Sequence, residues 1–307
     1  MYIQRESKPP SRSVRPGLLI VDRSFLMQVI CSVNEMQAIS IGLRTEGKLI
    51  GFVPTMGYLH DGHLSLVEVA KAKADVSVVS IFVNPAQFGV GEDLDAYPRD
   101  FERDLKLCEE CEADIVFAPS VEEMYPAGHS TQVEETAVAT NLCGVSRPTH
   151  FRGVTTVCAK LFNLCRPDFV VLGQKDAQQA VVIRRMAEDL HFPIEVVVTP
   201  TVREEDGLAM SSRNAYLDPR QREDALLLSR SLFAGKSLVD EKEIRNVDRI
   251  KSEVTGILTG GRCVRLNYVE VVNRENMEAE SEVVPGRSMI VVAAWIDEVR
   301  LIDNVML

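Results

Sequence analysis

No apolar run in the 307-residue chain approaches the ~20 residues that a membrane-crossing helix needs. The longest runs, such as Met289–Ile296, have the length of buried strands. Basic excess is missing as well: 34 Lys and Arg stand against 45 Asp and Glu, a net charge of −11. An acidic chain with no long basic run is a poor candidate for nucleic-acid binding driven by counterion release. A small phosphate compound stays possible, because backbone amides and a few local cations suffice to hold one. No secretory leader is expected from the sequence. Residues 1–26 carry Arg5, Arg12, Arg15 and Arg23 among Pro9, Pro10 and Pro16, with no apolar segment and no small-residue cleavage site. Glu6 and Asp22 interrupt the basic pattern of an organelle-targeting segment. The stretch reads as a poorly packed tail, or as an upstream start before a domain that opens near Met27. The seven cysteines are odd in number and thinly spread, which argues against a disulfide framework and for a reducing, cytoplasmic compartment. Cys108 and Cys111 lack a second Cys/His pair nearby and read as neighbours one helical turn apart. There is no P-loop, no G-x-S-x-G turn and no kinase motif set, and Gly89-x-Gly91 lacks the third glycine of a dinucleotide fingerprint.

What is present is an ordinary globular composition, 46% hydrophobic and 26% charged, long enough for about two domains. Apolar runs at Leu49–Val53, Val76–Val83, Ile115–Ala118, Phe169–Leu172 and Ile194–Val198 show no polar alternation. Helical patterns separate them at Leu64–Ala74, Asp100–Glu112, 154–164 and Gln178–Leu190. Strands of this kind, parted by helices, predict an α/β fold: a Rossmann-like, doubly wound parallel sheet covered on both faces. After Thr199-Pro200 the pattern changes. Asp218-Pro219 reads as a helix start, with a stop expected at Gly235, and Ile244, Val247, Ile250 and Val254 mark a second helix ending at Gly260-Gly261. Strands near Leu266–Val272, Met289–Trp295 and Val299–Ile302 complete a smaller α+β domain. The expected division is therefore an extension over 1–26, a Rossmann-like domain over 27–200 and a C-terminal domain over 201–307.

In a doubly wound sheet, ligands bind beyond the carboxyl ends of the strands, and four loops there carry reactive side chains. The first, Pro54–His63, brings Gly57, Gly62 and an H-x-G-H element in which His60 and His63 are one turn apart at a helix start. Free N–H groups and the positive dipole end of a helix favour phosphate there. The second, Phe82–Gly89, offers Asn84 and Gln87, neutral polar groups suited to hydroxyl and carboxylate oxygens. The third, Leu172–Gln179, places Lys175 as a point charge and Gln179 one turn along. The fourth, Asp206–Asn214, sets Ser211 and Ser212 beside Arg213 as a phosphate clamp. Arg147, His150 and Arg152 form a further basic group. Together the loops suit cleavage of ATP between its α- and β-phosphates.

With the stretches Arg147–Asp168, Gly207–Leu217 and Ala293–Asn304, these loops make the chain resemble the pantoate–β-alanine ligase (pantothenate synthetase) family from about Met27 to the C-terminus. The resemblance implies condensation of (R)-pantoate with β-alanine, using ATP and Mg²⁺, through a pantoyl adenylate, with release of AMP and pyrophosphate. It implies an ATP site from Met56, Gly57, His60, His63, Gly173, Lys175, Asp176, Val202, Met210, Ser211, Ser212 and Arg213. His63 matches the residue assigned as proton donor. His60, His63, Lys175 and Arg213 are the residues expected to carry catalysis. Gln87 and Gln179, with Asn84 alongside, match the grip on pantoate. A second domain acting as a lid, and a homodimer, are implied too. Magnesium held mostly by phosphate and water leaves little ligand pattern, so no residues are assigned to it. Thr149, Gln174 and Ala177 depart from the usual Gly, Glu and aromatic. Two alternatives remain open: another nucleotidyltransferase of the same fold, which should want more cations in its acceptor pocket, and a catalytically silent nucleotide-binding module.

Overall fold

The computed structural model describes residues 27–307, and the loosely packed segment expected over 1–26 lies outside them. The chain begins with β1 (Gln28–Ile30), α1 (Val33–Thr45), β2 (Ile50–Thr55), α2 (Asp61–Lys73) and β3 (Val76–Ile81). It continues through α3 (Phe101–Glu110), β4 (Ile115–Phe117) and the short α4 (Val121–Met124) and α5 (Cys143–Ser146). Then come α6 (His150–Cys165), β5 (Phe169–Gly173), α7 (Ala177–Asp189) and β6 (Glu195–Thr199). The C-terminal part holds α8 (Pro219–Asp240), α9 (Val247–Leu258), β7 (Val264–Asn273), β8 (Ser288–Ile296) and β9 (Val299–Met306).

The first six strands form one sheet in the order β1-β4-β3-β2-β5-β6, and every pairing is parallel. Because successive side chains point to opposite faces, each central strand feeds two cores. Phe52, Val78 and Phe117 pack with α1, α6 and α7. Val53, Val79 and Val116 pack with α2 and α3 on the other face. The doubly wound parallel sheet expected from the continuous apolar runs is what the chain builds. Strand order reverses between β2 and β5, so the loops after Thr55 and Gly173 diverge from neighbouring strand ends and leave a crevice.

A separate antiparallel sheet, β7-β8-β9, carries α8 and α9 on one face around a third core. A fourth cluster joins the two sheets, packing Val138, Phe151 and Val181 against Val272, Met289 and Val291. One expected boundary fails. Gly235 does not end α8, which runs on to Asp240. A Cβ at Gly235 would lie 2.8 Å from both Ile290 Cδ1 and Val254 Cγ2. The glycine is there so that α9 and β8 can approach the helix, not to cap it.

Candidate functional site

The carboxyl end of β2 makes the first wall. Thr55 Oγ1 donates to the Ser80 carbonyl at 2.7 Å and accepts the Gly57 amide at 3.2 Å, which ties the turn to β3. Gly57 adopts φ +80° and Tyr58 φ +51°, a left-handed pair that turns the chain into α2. Two amides, of Tyr58 and Leu59, donate at 2.7 Å to the buried carboxylate of Asp104 on α3. His60 then caps α2. Its ring stacks on that of His63, centroids 4.0 Å apart. A Cβ at Gly62 would lie 2.9 Å from the His60 ring, so the glycine of H-x-G-H makes room for the imidazole over the first helical turn. Burial and then the Lys175 ammonium hold His60 down at about 4. Burial, His60 and Lys175 hold His63 well below the usual imidazole value. Both rings are therefore neutral at pH 7, and each leaves its Nδ1 buried without a protein partner.

Around them lies a cavity of about 220 Å³, lined in part by Met56, Asn84, Gln87, Gly173, Lys175 and Gln179. Asp176, Val202, Met210, Ser211, Ser212 and Arg213 also line it. A neighbouring cavity of about 710 Å³ shares Lys175, Asp176, Gln179, Ser211 and Arg213 and extends toward Trp295 and Arg300. Thr201 Oγ1 is another buried atom without a partner on the first cavity's wall. Unsatisfied buried polar atoms are costly unless a ligand or water pairs them, so the wall suits a polar ligand.

A model of the family described as pantoate-beta-alanine ligase matches residues 28–306. The chain belongs to the pantoate–β-alanine ligase family. The pantothenate synthetase of Thermotoga petrophila is 52% identical over 281 residues, 92% of this chain and 100% of that protein. That of Acetivibrio thermocellus is 49% identical over 91% of this chain and 99% of its own length. A crystal structure of pantothenate synthetase from Thermus thermophilus superposes with a TM-score of 0.85 at 44% identity, covering 91% of this chain and 99% of that one. The Francisella tularensis ligase, described as complexed with beta-gamma ATP and beta-alanine, superposes with a TM-score of 0.76 at 32% identity, covering 92% and 98%.

Within this pantoate–β-alanine ligase fold, the expected site residues gather on one cavity wall, with three qualifications. Gly57 is not on the wall. A Cβ there would come 2.9 Å from Asp104 Oδ2, so the residue shapes the turn behind the histidines. Asn84 is on the wall, but its hydrogen-bonding capacity is spent on protein. Arg213 is not a free cation either. Its Nε and Nη2 donate to Asp93 at 2.9 and 3.0 Å. Arg147 pairs with Glu92 at 2.6 Å, and His150 sets its Nδ1 2.9 Å from the Gln87 carbonyl, its pKa lowered to about 4 by burial first and Arg147 second. Arg152 of the same basic group is not on the wall of either cavity. Cys108 is buried against the sheet, and burial pushes its thiol up to about 12.

Several contributors carry no sequence signal that could have singled them out. Tyr97 is buried on the cavity wall with the Arg213 guanidinium 5.6 Å from its ring centre. Asn304, on β9, donates to the carbonyls of Gln174 and Lys175 at 2.8 and 3.0 Å, and its oxygen accepts from Gln174 Nε2 at 3.1 Å. Gln174 is thus an amide partner of an amide. Asp104 and Asp93 act from loops and helices that look like ordinary acidic surface in the sequence.

Proposed function

We propose that the chain joins (R)-pantoate to β-alanine at the expense of ATP, through a pantoyl adenylate, releasing AMP and pyrophosphate. The observation that carries this reading is the shared wall: two imidazoles at a helix start, an ammonium, a guanidinium and two glutamine amides line one cavity. Family membership and the ATP and β-alanine named for the Francisella tularensis ligase support it. In the first step a pantoate carboxylate oxygen attacks the α-phosphorus and pyrophosphate leaves. In the second the β-alanine amine attacks the acyl carbon, AMP leaves and the amine gives up a proton. A carboxylate is a weak nucleophile, so the gain comes from aligning two bound reactants and from stabilising charge on the leaving pyrophosphate. His60 and His63 contribute as neutral N–H donors, since burial keeps them unprotonated. Lys175 supplies the positive charge. Arg213 joins it by exchanging Asp93 for phosphate.

Mg²⁺ fits as an ion held chiefly by phosphate. Among the described residues no group of three His, Cys, Asp or Glu is placed to cage a metal, and Asp176 is the carboxylate on this cavity wall. Bound there, it would neutralise triphosphate charge. The division near residue 200, with 201–307 closing over the cavity to keep water from the mixed anhydride, belongs to the same proposal. So do a homodimeric state and a cytoplasmic location. No described helix is long and apolar enough to cross a membrane. The test is AMP release from ATP and Mg²⁺ with pantoate and β-alanine added singly and together. Release that requires pantoate is expected; equal release without it rules the reading out.

A further inference from the structure

We propose that Asn84 is a positioning residue that fixes the polarity of the acid end of the cavity, turning the Gln87 amide so that only its N–H donors face the ligand. This rests on the reading that pantoate occupies this cavity. Two backbone groups beside Asn84 have hydrogen-bonding roles that cannot change. The Gly153 carbonyl only accepts, and it lies 3.1 Å from Asn84 Nδ2. The Ala86 amide only donates, and it points at Asn84 Oδ1 from 3.3 Å. With the Asn84 amide reversed, oxygen would face oxygen and N–H would face NH₂. The orientation is therefore imposed by the main chain, and the Tyr125 hydroxyl reinforces it by donating to the same Oδ1 at 2.8 Å. The second Nδ2 proton goes to Gln87 Oε1 at 3.1 Å. All four hydrogen-bonding positions of Asn84 are then in use.

The consequence falls on Gln87. Its oxygen is turned back onto Asn84, so its Nε2 is the polar end left for the cavity. That nitrogen lies 2.9 Å from Met56 Sδ, a weak acceptor that a carboxylate readily replaces. Asn84 is 1% exposed and Gln87 8% exposed, so water does not compete for the arrangement. Gly153 makes the contact possible, since a Cβ there would overlap the Ala86 carbonyl and come 2.5 Å from Gln87 Cα. Gln179 differs. Its side-chain amide has no protein partner among the described residues and can offer donor or acceptor as the ligand requires. One glutamine thus selects for an acceptor, a carboxylate or hydroxyl oxygen, while the other adapts.

The test compares Asn84→Asp with the wild-type chain. The new carboxylate presents acceptors on both sides, so Gln87 must turn to donate to it, and Oε1 then faces the incoming acid. The KM for pantoate should rise about 10- to 100-fold, the range for losing a hydrogen bond to a charged group, while the KM for ATP stays within about twofold. Calorimetric titration of pantoate should show the same weakening without turnover. Tyr125→Phe leaves both backbone locks in place and should raise the pantoate KM by no more than about threefold. Should Asn84→Asp fail to give a cooperative melt, Asn84→Ala frees Gln87 and must move the pantoate KM in the same direction. Constants for pantoate and ATP that rise together, or a pantoate KM that does not move, overturn the inference. A wild-type chain that releases no AMP with pantoate defeats the functional reading instead, before any variant is compared.

Discussion

Asp104→Asn tests how the histidine loop is held. The wild-type carboxylate is buried and accepts two amides at 2.7 Å, from Tyr58 and Leu59. The asparagine keeps the shape but has one oxygen, so one amide keeps an acceptor and the other meets an NH₂ group. A buried N–H left without a partner costs about 1–3 kcal/mol, and loss of charge from the surviving bond costs about 1 kcal/mol more. Some of this returns if the loop relaxes, because the left-handed conformation of Tyr58, φ +51°, is itself strained. Burial raises the carboxyl pKa of Asp104 against the pull of the two amides, so the comparison belongs at pH 8, where the wild-type group is ionised. The expected result is a lower urea midpoint, together with hydrogen exchange at the Tyr58 and Leu59 amides faster by roughly 30-fold to several hundredfold. ATP binding should weaken more than pantoate binding, because His60 follows Leu59 directly. Exchange at Leu59 within about threefold of wild type would refute the argument that this carboxylate fixes the loop.

His63→Ala should cut turnover by roughly 10²-fold or more, the scale for removing a donor to developing charge; an unchanged rate in the AMP assay removes His63 from the mechanism. Stability should fall on mild acidification. His60 and His150 are lowered from 6.5 to about 4, and His63 is lowered as well, in each case by burial first. The unfolded chain then binds protons that the folded one refuses, so stability is full above the unfolded value of 6.5 and is lost as pH falls toward 4. Each group adds at most about 1.4 kcal/mol per pH unit, less where its ring reaches solvent. Urea midpoints at pH 7.5 and 5.5 measure this, and a midpoint that rises on acidification contradicts it. Gly153→Ala forces a methyl against the turn Pro85–Gln87 and should destabilise by about 1–3 kcal/mol. It should also raise the pantoate KM; wild-type melting together with wild-type kinetics would show that α6 and the turn can part freely.

The parallel sheet was legible because strands buried on both faces leave nearly continuous apolar runs, and Val76–Ile81, broken only by the buried Ser77 and Ser80, is one such strand. The H-x-G-H loop was legible because a strand, two glycines and a helix start coincide in one short stretch. The first elements were not read. β1 has three residues, two of them exposed, and too little periodicity to stand out. The apolar spacing of Met36, Ile39 and Leu43 on α1 was present and would have supported a helix. Gly235 was misread because a glycine that admits a neighbouring helix looks the same in sequence as one that ends a helix. The partner of Arg213 could not be read at all. Asp93 lies 120 residues from Arg213, and nothing local to either announces the pair. The same holds for Asn84. Residue type marked it as polar and near the substrate, but one of its partners is the carbonyl of Gly153, 69 residues away, which no local pattern announces.

The register of the small sheet bears on the chemistry of the large one. Asp303 and Asn304 are consecutive on β9, both 3% exposed, and are paired with Val292 and Val291 of β8. Neighbouring strand residues point to opposite faces, and these two hold different loops. Asp303 accepts Arg203 at 2.6 and 2.9 Å, and Arg203 also reaches the Gly207 carbonyl at 3.1 Å, so the strand grips the hairpin that leads to Ser211, Ser212 and Arg213. Asn304 grips the turn that carries Lys175. The ammonium and the guanidinium that meet in the cavity are thus both positioned from one short stretch of β9. A slip of one residue in the β8–β9 pairing would change the occupant of both faces: it would set either Asp303 against the carbonyls of Gln174 and Lys175 with Ile302 facing Arg203, or Asn304 against Arg203 with Val305 facing those carbonyls. Both cations would lose their supports at once. That gives a physical reason for the ligase site to need the C-terminal sheet even though the histidines and glutamines all come from the first two hundred residues. The parallel sheet places the histidines and glutamines on the cavity wall, and the antiparallel sheet supports the loops that bring Lys175 and Arg213 to it.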